Sequence, residues 1–188
     1  MTIFLLMRHG EKHDGELSDK GHARAEYLPE YFLKHRPKGV PMPTHLISMK
    51  PKYETSSRRC IDTLTPMMRK LGTTLLVEYE REETRELIRY LMNLPQDSVV
   101  LVCWEHNYIV NIARELGFPV LNWNDTPISN ERDTKRFDVL WMIKDKKLES
   151  FLTFAVEDDL TPSVYLHPMR QKYTREKHLY YLFSWWRR

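Results

Sequence analysis

Short runs of apolar residues alternate along this chain with longer segments whose apolar positions recur at helical spacing. The short runs are typical of strands, and the most apolar of them are typical of strands buried on both faces. Six runs are strand candidates: IFLLM, THLISM, TLLVEY, SVVLVCW, FDVLWMI and SFLTFAV. The turn-like KDKK between the last two predicts that these strands pair with each other.

Helical spacing predicts four helices, at residues 18–35, 58–71, 83–94 and 108–116. Pro29 lies inside the first and should kink it or mark a second helical start. Gly72 and Pro95 should end the second and third. Strands that alternate with helices predict an α/β domain, a three-layer sandwich with a mostly parallel central sheet and helices on both faces.

Composition limits the classes of protein that the chain can represent. Its 188 residues suit one domain, and its 41% hydrophobic and 29% charged residues indicate a globular protein rather than a disordered or membrane one. A net charge of +3 gives no basis for nucleic-acid binding. The separated Cys60 and Cys103 predict no disulfide framework. Because no apolar run is long enough for a bilayer or a signal peptide, we expect a cytoplasmic protein.

Two predicted strands end in a histidine next to a charged residue. His9 follows Arg8 at the end of the first strand, and His106 follows Glu105 after SVVLVCW. Ligands of such sheets bind beyond the carboxyl ends of the central strands, so neighbouring strands would bring both imidazoles to one crevice. TSSRRCIDT places hydroxyls and paired arginines before a helix whose first turn can bind an anion. These features predict a phosphate site that contains a nucleophile.

The residue types define the chemistry of such a site. Neutral imidazole is nucleophilic near pH 7, and its attack on phosphorus would form a phosphohistidine. Arginine binds phosphate oxygens bidentately and stays charged, which stabilises the transferring group without a metal. The leaving alkoxide needs a proton, so we expect a carboxylic acid nearby.

Four motifs follow one another along the chain: an Arg-His-Gly triplet in LMRHGE, a helix in LSDKGHARAEYL, an arginine motif in SSRRCIDTLTPM and a second histidine in VVLVCWEHNYI. In this order they resemble the motifs of the histidine phosphatase superfamily, the phosphoglycerate mutase-like proteins. Their order along residues 3–116 makes the resemblance specific, and RFDVLW fits a late strand of the family. In the family's second arginine motif, arginine precedes threonine by four positions, which selects Arg59 with Thr63.

The resemblance implies a role for each matching residue. His9 would be the phosphorylated nucleophile, His106 a second catalytic residue, and Arg8 and Arg59 the ligands of the substrate phosphate. The implied activity is a phosphatase that hydrolyses a small phosphate monoester without a metal or other cofactor. A phosphomutase and a non-catalytic phosphate-binding or scaffold relative are the alternatives. Phosphatase is favoured because the chain lacks the long insertions that resemble a mutase's lid.

The sequence departs from the family pattern at the proton donor and beside the second histidine. No clean copy of the acidic-glycine motif that carries the acid is present, and Glu105 replaces the small residue usual before the second histidine. Strand alternation would point Glu105 away from the side that His106 faces, which argues against it as the acid. The donor stays open, or absent, among these candidates: Glu78, Glu80, Glu82, Glu83, Glu86 and Glu105.

An aromatic and basic segment, at about 160–188, closes the single domain that we expect over residues 1–188. Its end, EKHLYYLFSWWRR, could anchor at a membrane interface or dock on its own domain. We expect docking, because an interfacial helix needs a segregated polar face. Co-sedimentation of the protein with anionic liposomes would contradict that expectation.

Overall fold

The computed structural model describes residues 1–118, 123, 137–145, 147–152 and 171–174. The strands in these residues are β1 (Ile3–Arg8), β2 (Lys12–His13), β3 (Glu16–Leu17), β4 (His45–Ser48), β5 (Leu75–Leu76), β6 (Val99–Trp104), β7 (Val139–Lys144), β8 (Lys147–Leu152) and β9 (Gln171–Thr174). The helices are α1 (Asp19–Glu30), α2 (Arg59–Leu71), α3 (Thr84–Met92) and α4 (His106–Glu115), and a π-helical turn, Tyr31–His35, follows α1.

Seven of the described strands form one mixed sheet in the order β5-β4-β6-β1-β7-β8-β9. The strands β5, β4, β6 and β1 are parallel, whereas β7, β8 and β9 continue the sheet antiparallel. The hairpin predicted at KDKK joins β7 to β8, with Asp145 at a φ of +50° in its turn. The predicted strand TLLVEY is much shorter, because β5 pairs with β4 over Leu75–Leu76 alone.

Helices cover both faces of the sheet, as the alternation of strands and helices predicts. Leu5 and Met7 of β1 point to one face and pack in a core with α1 and α2. Phe4 and Leu6 point to the other face and pack in a core with α3 and α4. Because successive strand residues point to opposite faces, the unbroken apolar run of β1 serves both cores at once. The predicted three-layer sandwich is therefore confirmed.

Local signals account for most helix boundaries. Gly72 ends α2 in the left-handed conformation, with a φ of +63°. Pro29 lies in the last turn of α1, directly before the π-helical turn, which agrees with the predicted break in that helix. The helix α4 begins at His106, two residues before the predicted start, because Glu105 caps it by accepting a hydrogen bond from the Asn107 amide. His106 is therefore the first residue of a helix.

The C-terminal segment predicted at about 160–188 falls outside the described residues, except for 171–174, which form β9. The expectation that it docks on the domain stays a prediction. Within the described part of the chain, no helix combines the length and apolarity needed to cross a bilayer.

Candidate active site

The two histidines leave the sheet side by side because β1 and β6 are neighbouring parallel strands. Their register pairs Arg8 with Trp104, so the segments that carry His9 and His106 begin at the same level of the sheet edge. His9 is 2% exposed, and the side chain of His106 is 31% exposed. The two histidines predicted from the strand ends therefore lie at the same edge of the sheet, one with a buried imidazole and one with a partly exposed imidazole.

The imidazole of His9 is held in one tautomer. Its Nδ1 lies 2.7 Å from the carbonyl oxygen of Gly10, and a carbonyl can only accept, so Nδ1 is the donor. The lone pair is then on Nε2, the nitrogen available for attack. Burial, followed by the charges of Arg59 and Arg8, lowers the pKa of His9 to about 3. The ring is therefore uncharged and nucleophilic at neutral pH.

A threonine links the nucleophile to the start of α2. The Gly10 amide donates to Oγ1 of Thr63 over 2.9 Å, and Thr63 Oγ1 donates to the carbonyl oxygen of Arg59 over 2.7 Å. Thr63 is fully buried, so this chain of bonds is protected from water. The spacing of four between Arg59 and Thr63 is the i to i+4 geometry of one helical turn. That spacing therefore ties Arg59 to the loop that carries His9.

Close backbone approach explains the two glycines next to the nucleophile. A Cβ on Gly10 would lie 2.8 Å from the carbonyl oxygen of Gly21, and a Cβ on Gly21 would lie 2.2 Å from that of Glu11. Gly10 is not among the residues with positive φ, so lack of a side chain, rather than a sharp turn, is what the position requires. The loop after β1 thus packs directly on the first turn of α1.

Two arginines present unpaired buried nitrogens at the site. Arg8 is 4% exposed, and its guanidinium carbon lies 4.1 Å from the centroid of the Phe137 ring, while Nε and Nη1 have no hydrogen-bond partner. Burial lowers the pKa of Arg8 to about 10. Arg59 donates from Nη1 to the Gly15 carbonyl over 2.7 Å, and its buried Nε has no partner. Buried N–H groups of this kind are the donors that a phosphate would satisfy.

His106 completes the cluster and faces a carboxylate. Its Nδ1 lies 2.5 Å from Oε1 of Glu105, the distance of an ion pair, but at an angle outside hydrogen-bond geometry. Burial and the charge of Arg8 lower the pKa of His106, whereas Glu105 opposes that shift. The structure therefore brings together all four residues predicted for the site, namely Arg8, His9, Arg59 and His106, within electrostatic range of one another.

The prediction that Glu105 points away from the side that His106 faces is wrong. The strand β6 ends at Trp104, and Glu105 is the capping residue between β6 and α4, so the alternation of side chains does not extend to it. Its carboxylate approaches His106 and acts electrostatically on Arg8, with 15% of the side chain exposed. Glu105 is thus the candidate carboxylate next to the predicted phosphate pocket.

The other candidate acids lie between β5 and α3 or, for Glu86, in the first turn of α3, and three of them have partners there. Glu83 accepts a hydrogen bond from the Glu80 amide over 2.7 Å, Glu82 pairs with Arg81, and Glu86 pairs with Arg89. The backbone of Glu80 bridges to Lys50, just beyond the end of β4, which places Glu80 at the same edge of the sheet as His9. Glu78 is exposed.

Phe137 is a residue of the site that the sequence motifs do not reveal. Its ring covers the Arg8 guanidinium and lies 5.8 Å, centroid to centroid, from the His9 ring, and it is 8% exposed. It lies two residues before β7, the antiparallel neighbour of β1. An aromatic residue next to a predicted strand is usually a residue of the hydrophobic core, so nothing in RFDVLW indicates that Phe137 contacts the site.

No group of three or more His, Cys, Asp or Glu side chains in the described part of the chain is arranged to hold a metal ion. The positive charge at the site comes from Arg8 and Arg59, with Lys12 of β2 close enough to act on His106.

Comparison with solved structures finds proteins of the same fold. The chain is similar to a mycobacterial glucosyl-3-phosphoglycerate phosphatase in complex with inorganic phosphate, at a TM-score of 0.51 and 15% identity over 76% of this chain and 89% of that one. It is also similar to an Agrobacterium tumefaciens protein proposed to be the phosphohistidine phosphatase SixA, at a TM-score of 0.50 and 14% identity over 76% of this chain and 91% of that one. No protein-family model and no curated protein matches the sequence. This chain therefore has the phosphoglycerate mutase-like α/β fold, as its motifs predict.

Proposed function

We propose that the protein is a histidine phosphatase that hydrolyses a phosphate monoester through a phosphohistidine on His9. The observation that carries this proposal is the fixed tautomer of His9, whose Nδ1 is bonded to the Gly10 carbonyl so that Nε2 is free to attack. The low pKa of His9, about 3, keeps that nitrogen unprotonated at neutral pH.

The arginines have a separate part in the proposed reaction. The unpaired nitrogens of Arg8 and Arg59 would bind the phosphate oxygens and stabilise the charge that develops on them during transfer. Because both guanidinium groups are held before substrate arrives, little reorganisation is needed in the transition state. This arrangement supports a reaction that proceeds without a metal or an organic cofactor.

The proposal is tested by mixing the protein with para-nitrophenyl phosphate and a panel of phosphorylated metabolites in excess chelator. We expect turnover and, by intact-protein mass, an acid-labile phosphoryl adduct. The variant His9→Ala should fold but should show neither turnover nor adduct. Normal turnover by His9→Ala, or loss of wild-type activity in chelator, would contradict the proposed mechanism.

A non-catalytic phosphate-binding protein is the alternative from another class, and the partners of Glu82, Glu83 and Glu86 favour it, because three of the candidate acids already accept hydrogen bonds or ion pairs. An aryl phosphate separates the two functions, because its good leaving group needs little proton donation. A binding protein would hold phosphate or vanadate without cleaving para-nitrophenyl phosphate. A phosphomutase would instead pass the phosphoryl group from His9 to a second hydroxyl, and isomerised product would reveal it.

A further inference from the structure

The proton required by the leaving group has no assigned donor, and the site contains a carboxylate beside an imidazole, Glu105 beside His106. Oε1 of Glu105 and Nδ1 of His106 are 2.5 Å apart, and this nitrogen is buried. The opposite ring nitrogen, Nε2, is then directed away from the carboxylate. A carboxylate this close to one imidazole nitrogen stabilises the imidazolium electrostatically when the other nitrogen takes a proton.

Glu105 is itself held in place. Its Oε2 accepts a hydrogen bond from the Asn107 amide over 3.0 Å, and its Oε1 accepts one from Nδ2 of Asn107 over 3.2 Å. These bonds cap α4 and fix the carboxylate relative to the first residue of the helix, which is His106. The carboxylate therefore cannot move to the pocket as a free acid without breaking the cap.

We propose that Glu105 is a positioning residue that makes His106 the proton shuttle of the reaction, in place of a separate carboxylic acid. This inference rests on the proposed function. In the first step, Nε2 of His9 bonds to phosphorus and the P–O ester bond breaks. The electron pair stays on the leaving oxygen, which takes the proton from Nε2 of His106.

In the second step a proton returns to His106. A water oxygen bonds to phosphorus, and the P–N bond breaks with its electron pair returning to Nε2 of His9. The proton lost by the water goes to Nε2 of His106, so the imidazolium is regenerated. The sum is ester plus water giving alcohol plus phosphate, with the protein unchanged.

The charges around His106 determine when it carries the proton. Arg8 from β1, Lys12 from β2 and Arg59 from α2 disfavour the cation, and Glu105 favours it. The negative charge of a bound phosphate would offset these positive groups. The second pKa of a phosphate monoester is about 6, so a substrate that binds as the monoanion would bring the proton with it. We therefore expect activity to fall on the alkaline side as that proton is lost.

The test compares two aryl phosphates that differ in their need for a proton. Phenol is a poorer leaving group than para-nitrophenol, so phenyl phosphate depends more on an acid. The variants are Glu105→Gln and Glu105→Ser, of which the second keeps a good capping residue without the carboxylate. Glu80→Gln is the control at the same sheet edge. For both Glu105 variants we expect kcat/KM to fall at least about tenfold more on phenyl phosphate than on para-nitrophenyl phosphate.

Two further readouts separate a shuttle from a structural cap. The alkaline limb of the pH profile should move to lower pH in Glu105→Gln, and NMR titration of the His106 ring should show a lower pKa in that variant. Equal losses on both substrates with an unchanged pH profile, or a leaving-group-selective loss in Glu80→Gln alone, would overturn the proposal. If wild type cleaves neither substrate, the proposed function fails and the shuttle fails with it, whereas the other negative results overturn the shuttle alone.

Discussion

Arg8 and Arg24 are both buried, at 4% and 5% exposure, but their surroundings are opposite. Arg24 on α1 forms a fork with Glu11, Nε to Oε2 at 2.9 Å and Nη2 to Oε1 at 2.5 Å. Arg8, at the end of β1, stacks on Phe137 and leaves Nε and Nη1 without partners. In the loop packed on α1, the buried arginine is paired with a carboxylate of the protein. At the end of β1, two nitrogens of the buried arginine have no partner.

The difference indicates what each region is for. A buried charge pair with good geometry holds a structure in one arrangement, whereas buried donors without partners cost stability and are kept where a ligand satisfies them. The Arg24–Glu11 pair thus fixes the loop that carries His9, and the Arg8 region holds the groups that would bind phosphate. Substitutions should therefore separate stability from function between the two regions.

The largest expected effect is loss of activity in Arg8→Met. Removing one preorganised donor to a transferring group costs about 10²–10³-fold in rate, so kcat/KM on para-nitrophenyl phosphate should fall by that factor. The melting temperature should stay the same or rise, because an unpaired buried charge is replaced by an apolar side chain of similar length. Steady-state kinetics and thermal unfolding measure both. A large drop in melting temperature would show that Arg8 stabilises the fold.

Arg24→Met should have the opposite profile. It leaves the Glu11 carboxylate half-buried without its partner, and breaking such a pair costs about 3 kcal/mol in the free energy of unfolding. Activity per folded molecule should fall much less than in Arg8→Met, because the bonds of Thr63 and the Gly10 carbonyl still hold His9. Urea denaturation measures the loss, and adding Glu11→Leu should recover most of it because no unpaired charge remains. Failure of the double variant to recover stability would contradict this account of the pair.

The two regions should also respond to acid in different pH windows. The pKa of His9 is lowered to about 3 from 6.5, so the unfolded state binds the proton first and stability falls as pH drops from about 6.5 towards 3. Burial raises the pKa of Glu11, but the bonds from Arg24 outweigh it and the net pKa is below 4.5. The stability that ionised Glu11 contributes is therefore fully present above about pH 4.5 and is lost as pH falls below that value.

Replacing His9 tests that window directly. His9→Asn should flatten the stability curve between pH 6 and 4.5, where the wild type should lose roughly 2 kcal/mol on account of this residue. Urea denaturation at several pH values measures the slope. The exposed His22 supplies the control, His22→Asn, which should keep the wild-type slope. An unchanged slope in His9→Asn would contradict the low pKa.

The smallest effect is expected for Phe137→Leu. Losing a ring stacked on a guanidinium should weaken phosphate binding by about 1 kcal/mol, or roughly fivefold, through misorientation of Arg8. Phe118→Leu is a matched control, because Phe118 is 7% exposed against 8% for Phe137 and packs in the core with α3 and α4. The inhibition constant for phosphate should rise in Phe137→Leu but not in Phe118→Leu, whereas the melting temperature should fall by a similar amount in both variants. Equal binding in both would show that Phe137 is core packing alone.

Prediction from sequence succeeded where a signal is local. The long apolar runs of β1 and β6 and the glycine stop of α2 each depend on neighbouring residues, and all three are confirmed. The length of β5 was overestimated, because an edge strand extends only as far as its partner β4 pairs with it. The start of α4 was missed because Glu105 is not a usual capping residue, and its role depends on how β6 ends.

The sequence by itself determined the alternation of strands and helices, the presence of His9 and His106 after two apolar strands, and the Arg59–Thr63 spacing. These are properties of short segments, in which periodicity and residue type act over a few positions. Only the tertiary structure decided that β1 and β6 are neighbours, that Arg8 stacks on Phe137 and that Glu105 faces His106. Such contacts depend on strand order and on where elements end, and no local pattern encodes either one.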